Sequence, residues 1–115
     1  MYQNGYQQYK MQSVNTMTRG EMLLLLYDEL VKRLTKAEFD IFDASVKRAQ
    51  EIVQYLQETL NTEYSISRDL QRMYDFFLYE ISRLQAGRKK TVIEELRPLV
   101  IELRDAFREA NKTSG

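Results

Sequence analysis

Apolar and polar residues alternate along most of this chain with a period of three to four, the spacing that puts one apolar stripe on an α-helix. The first stripe runs through Leu23, Leu26, Tyr27, Leu30, Leu34 and Ala37. Thr18-Arg19-Gly20-Glu21 precedes it as a capping box, in which the threonine hydroxyl takes the glutamate amide and the glutamate reaches back. Asp28 with Lys32 and Glu29 with Arg33 are (i, i+4) pairs of the favourable polarity on the opposite face. A second stripe, Val46, Ala49, Val53, Leu56 and Leu60, predicts a helix with Asp40 or Asp43 as its N-cap. Neither Gly nor Pro separates these two stripes, so periodicity alone also allows one helix from 18 to 60. That helix would be about 65 Å long, out of scale for a small monomeric domain, and a break within 39–43 is expected.

Asn61 to Ser65 reads as a loop, with Ser65 or Ser67 capping a third helix whose apolar positions are 70, 73, 74, 77, 81 and 84. Gly87 is placed to end it in the left-handed conformation. Arg88-Lys89-Lys90 forms a basic loop, and Thr91-Val92-Ile93-Glu94 reads as a second capping box opening a fourth helix. Its stripe is 93, 96, 100, 103, 107 and 110, interrupted on the polar side by Pro98, which either kinks the helix or marks where its regular part begins. Four amphipathic segments joined by short connections predict an all-α fold, an antiparallel four-helix bundle over residues 18–115. Residues 1–17 stand apart. They are rich in Gln and Asn, lack acidic residues and show no helical period, so they are expected to form a mobile, partly ordered N-terminal segment.

Composition narrows the function. The 115 residues include 17 basic and 17 acidic ones, no His, no Cys and no Trp. Without His or Cys there is no ordinary zinc site, no thiolate nucleophile and no His-based dyad or triad, and no Gly-rich phosphate loop is present. The chain therefore reads as a non-enzyme without metal or cofactor. Asp28, Asp75 and Asp105 lie beside apolar positions, but without histidine they are expected to cap, pair with Arg or face water. The balanced charge gives no electrostatic footprint for nucleic acid or an anionic membrane surface. The apolar run Met22 to Tyr27 is too short to span a bilayer, and no signal peptide opens the chain, which together suggest a cytoplasmic protein.

The informative feature is apolar surplus. Met22-Leu23-Leu24-Leu25-Leu26-Tyr27 is apolar around the whole helix, and Met73-Tyr74-Asp75-Phe76-Phe77-Leu78-Tyr79 nearly so. A bundle helix needs one stripe. Leu24, Leu25, Val31, Phe76 and Leu78 are left to be covered by the N-terminal segment, a second copy in a homodimer, or a foreign chain, as in a binding module.

Several motifs, in order, resemble the flagellar secretion chaperones of the FliS family. They are Tyr6-x-x-Tyr9, Ser13-Val14-Asn15-Thr16, Gly20-Glu21-Met22, Leu26-Tyr27-Asp28, Lys47 to Val53, Met73-Tyr74-Asp75-Phe76 and Leu103-Arg104-Asp105-Ala106-Phe107. Arg19 stands where the family usually has Pro, Glu29 where a Gly commonly follows Tyr-Asp, and Phe107 where the family has Trp. The resemblance implies an all-helical cytosolic chaperone that binds the disordered C-terminal segment of flagellin, prevents its early polymerisation and holds it for the export apparatus. Carried onto this sequence, it suggests Tyr6, Tyr9, Val14, Leu24, Tyr27, Tyr74 and Phe77 as partner-binding residues, with residues 1–17 as a cover that competes with the client. The alternative is a structural bundle whose surplus is closed by homodimerisation.

Overall fold

The computed structural model describes residues 19–114, and these form four α-helices: α1 (Arg19–Phe39), α2 (Phe42–Glu58), α3 (Ile66–Gly87) and α4 (Thr91–Ser114). The helices follow one another around a ring, α1 packing on α2 and α4, and α3 on α2 and α4. Cross-helix pairs give their directions. Glu38 meets Arg97 (2.7 Å) while Asp28 meets Arg104 (3.0 Å), so α1 and α4 run antiparallel. Gln57 donates to Asp75 (2.6 Å) and Gln85 to Gln50 (3.1 Å), so α2 and α3 do as well. This is the antiparallel four-helix bundle that the stripes predict.

The stripes also name the core. Tyr27, Leu30, Leu34 and Ala37 of α1 are fully buried. They meet Val46, Ala49, Ile52, Val53 and Leu56 of α2, Leu70, Tyr74, Phe77, Ile81 and Leu84 of α3, and Val92, Ile93, Leu96 and Val100 of α4. Burial of such side chains is worth roughly 1.5–3 kcal/mol each before the entropic cost of ordering them. The surplus positions sit shallower. Leu24, Leu25, Val31 and Leu78 are half-buried and Phe76 is exposed.

Helix ends depart from expectation. α1 and α2 are separate helices, broken by Asp40 and Ile41 alone, and the N-cap of α2 is Ile41 in extended backbone, not Asp40 or Asp43. Asp43 instead pairs with Arg88 across the turn, and Arg88 also lies over the Phe42 ring at 4.3 Å. These contacts draw Asp43 into the first turn of α2 and away from the capping position. Ser65 does occupy the N-cap of α3, but without a side-chain cap bond, while the Ser67 hydroxyl donates to the Asn61 carbonyl and ties the loop to the helix.

The left-handed terminator of α3 is Arg88 (φ 56°), one residue after the expected Gly87, which is still helical. An L-residue there costs on the order of 1 kcal/mol, which the Asp43 pair and the Phe42 stack offset. At the start of α4 the Glu94 amide bonds to the Lys90 carbonyl, so Lys90 holds the cap position and Thr91 is already helical. The expected Thr91–Glu94 capping box is thus out of register, since Lys90 at the N-cap and Ile93 three residues on have neither of its side chains. α4 runs unbroken through Pro98. Pro98 and Glu94, whose carbonyl loses its helical donor there, are both exposed, so water can take the donor's place. The Thr18 capping box, and residues 1–17 with Tyr6, Tyr9 and Val14, lie outside the described residues.

Candidate functional site

The loop between α2 and α3, the first turns of α1 and α3 and the last turns of α2 and α4 converge at one end of the bundle. Between them opens an apolar groove of about 430 Å³. Met22, Leu23 and Leu26 of α1 form one wall, and Tyr55, Leu56 and Leu60 from the end of α2 form another. Tyr64, Ile66 and Leu70 close the α3 side, with Tyr74 and Phe107 completing the lining. Arg19 is the one charged residue among the described residues that line it. A wider depression of about 880 Å³ lies beyond Tyr64, with Glu63, Arg68, Asp69 and Arg72 among the residues that line it.

The helical period explains why the groove forms. In α1 the core stripe is fully buried from Tyr27 onward, and the leucines before it are only half-buried. The loop after Glu58 joins α2 to α3 at this end. Asn61 organises that loop, accepting from the Glu63 amide (3.0 Å) and from the Ser67 hydroxyl. Tyr64 and Ile66 are thereby left 64% and 54% exposed at the groove mouth. Gly20, beside the groove, makes room for α4, because a Cβ there would overlap the Asn111 side-chain amide.

Below the groove lies an aromatic layer. The Tyr27 and Tyr74 hydroxyls, 47 residues apart in sequence, share a hydrogen bond of 2.7 Å inside the core. The Tyr27 ring packs on Phe107 (5.7 Å between centroids), and Tyr74 on Phe77 (6.4 Å). Burial pushes both hydroxyls above the usual tyrosine range, and for Tyr27 the neighbouring Tyr74 hydroxyl adds to the rise. The mutual hydrogen bond acts in the opposite sense on Tyr74.

The four suggested partner-binding residues within the described chain are therefore not one surface. Tyr27 and Phe77 are fully buried, in the core and not on a face that a partner reaches. Tyr74 is equally buried, yet its ring is part of the groove floor. Leu24 is half-buried and does not line the groove. Conversely, Tyr55, Tyr64, Ile66 and Phe107 went unmarked. Tyr55 falls on the polar face of α2 and Tyr64 and Ile66 in or beside a loop, where periodicity carries no signal. Phe107 alone had one, in standing where the FliS family has Trp.

The three aspartates that lie beside apolar positions make ordinary polar contacts. Asp28 faces water and pairs with Arg104 and Arg108, Asp105 pairs with the same two arginines, and Asp75 accepts from Gln57 and Gln71. Among the described residues no group of three or more acidic, His or Cys side chains is placed to hold a metal ion. Among them, too, no helix is long and apolar enough to cross a membrane.

The family model described as flagellar protein FliS matches residues 2–114. The chain belongs to the FliS family. It is also 31% identical to the flagellar secretion chaperone FliS of Bacillus subtilis (strain 168), over 94% of this chain and 86% of that one. This chain is thus a helical-bundle member of a family of flagellar secretion chaperones.

Proposed function

We propose that this FliS-family protein is a cytosolic export chaperone that holds the disordered C-terminal segment of flagellin in the groove at the α2–α3 end of the bundle. Held there, the segment is kept from polymerising early and is ready for the export apparatus. The observation that carries this reading is the groove itself, an open apolar surface walled by residues of all four helices and nearly free of charge. A disordered client gains apolar burial there and turns helical against the walls, at the entropic cost of ordering. Tyr55 and Tyr64 suit such a surface, since their rings pack while their hydroxyls stay in water or meet client backbone.

Titration of a C-terminal flagellin peptide by calorimetry tests it. Binding is expected with a negative heat-capacity change and less than tenfold loss of affinity from low to high salt, because burial and not charge drives it. Ile66→Asp, a change at an exposed position, is expected to weaken binding at least tenfold, about 1.4 kcal/mol, while the remote control Lys32→Ala leaves it unchanged. A peptide that binds Ile66→Asp as tightly as the parent places the client elsewhere.

Residues 1–17 supply the second element of the proposal. The chain enters α1 at Arg19, which lines the groove, so the preceding tyrosines Tyr2, Tyr6 and Tyr9 are tethered within reach of it. A cover worth about 1.4 kcal/mol would be closed most of the time and weaken client binding roughly tenfold. Deleting residues 1–17 is expected to tighten peptide binding by up to that factor and to lower the solubility of the free protein. Weaker or unchanged affinity would instead assign Tyr6, Tyr9 and Val14 to direct client contact or to no role.

A further inference from the structure

The apolar groove also carries hydrogen-bond donors that no other described residue uses. Arg19, the one charge among its described lining residues, is exposed and makes no hydrogen bond or ion pair among them. It stands in the first turn of α1, where a cation opposes the helix dipole, so helix stability does not account for it. The preceding chain brings it no anion. Residues 1–17 contain no Asp or Glu, and their one charged side chain is Lys10.

Asn61 is the second such donor. Its Oδ1 accepts from the Glu63 amide at 3.0 Å, which fixes the orientation of the side-chain amide and leaves Nδ2 without a partner among the described residues. Thr59 and Ser67, which also line the groove, donate their hydroxyls to the backbone carbonyls of Tyr55 and Asn61. No carboxylate lines the groove among the described residues. A guanidinium on α1 and an amide in the α2–α3 loop thus lack an acceptor, and an anionic one suits them best.

We propose, resting on the reading of the groove given above, that Arg19 and Asn61 receive the α-carboxylate at the very end of the client chain. The groove then takes the last turn of the flagellin segment and not an interior stretch. A space of about 430 Å³ admits a short piece of chain, so one part of the segment has to be chosen. When the client's last residues turn helical, their unpaired carbonyls and the terminal carboxylate gather at one end, and that negative end complements the guanidinium. Arginine takes a carboxylate through two parallel N–H bonds, and an apolar surround strengthens the contact relative to open water. The same chemistry separates client from cover. Residues 1–17 bring no anion to Arg19, so the client displaces a cover of these residues through a contact the cover lacks.

Calorimetric titration of the full-length protein reads this contact, with a synthetic peptide of the flagellin C-terminal segment made both as the free acid and as the C-terminal amide. The two peptides differ only in the terminal charge. The acid is expected to bind more tightly by about fivefold or more, the scale of one partly screened charge pair. Arg19→Gln changes an exposed, unpaired side chain and is expected to melt like the parent, to bind the amide as the parent does, and to bind both peptides alike. Asn61→Asp keeps an acceptor for the Glu63 amide but puts a like charge where the donor was, and is expected to abolish or reverse the preference. Equal binding of acid and amide by the parent overturns the proposal, as does a preference that survives either substitution. Binding of neither peptide overturns instead the reading of the groove, and this proposal falls with it.

Discussion

Truncating Tyr27 to alanine is expected to bring this bundle close to unfolding. The ring is fully buried, packs on Phe107 and hydrogen-bonds to Tyr74, so its loss opens a cavity beneath the groove. Removing a buried aromatic side chain costs about 3–5 kcal/mol, and the Tyr74 hydroxyl left without a partner adds about 1–3 more. A single domain has only about 5–15 kcal/mol in total. The hydroxyl pair is separable from the rings. Tyr27→Phe and Tyr74→Phe each strand the other hydroxyl and are expected to cost on the order of 1–2 kcal/mol, whereas the double Phe variant strands nothing and is expected to cost less than their sum. Denaturant melts of the four proteins close this cycle. If the single losses simply add, the 2.7 Å contact contributes nothing to stability. Under conditions where Tyr27→Ala remains folded it is expected to bind flagellin peptide much as the parent does, because its ring lies under the groove and not in it.

The same pair sets an alkaline limit. Burial raises both tyrosine pKa values above the ordinary 10.0, so the folded state keeps two protons that the unfolded chain releases. Stability is therefore unaffected by these groups below about pH 10 and falls as pH rises beyond it, by up to about 1.4 kcal/mol per pH unit for each tyrosine. Alkaline unfolding is expected to coincide with a cooperative rise in tyrosinate absorbance. In the double Phe variant the decline above pH 10 is expected to be shallower. Parallel pH profiles of parent and variant would refute the assignment to this pair.

Sequence and structure diverge in a patterned way. Positions with a helical period went where the period put them, since a stripe at three- and four-residue spacing can be buried only on one side. Leu30, Leu34, Val53, Ile81 and Leu96 are instances. Helix ends went otherwise. Asp43 is a good N-cap in isolation, but Arg88 from the other turn at the same end of the bundle holds it, and Ile41 takes the cap. Arg88 adopts the left-handed turn expected of Gly87 because its guanidinium has two partners in α2. Propensities worth about 1 kcal/mol yield to tertiary contacts of the same size.

The chain's own pattern determined four amphipathic helices, their antiparallel order and most of the core, because local spacing and short connections leave few other ways to bury the stripes. Its ordered motifs also pointed to the FliS family, and its lack of His and Cys removed most catalytic chemistry. Apolar surplus near Met22 and Phe76 announced uncovered surface without saying where it would lie. Only the tertiary structure joined Tyr27 to Tyr74 across 47 residues and opened the groove among Leu23, Tyr64, Ile66 and Phe107. Which of several apolar residues on a helix is left uncovered depends on where the neighbouring helices begin and end, and a one-dimensional period holds no record of that.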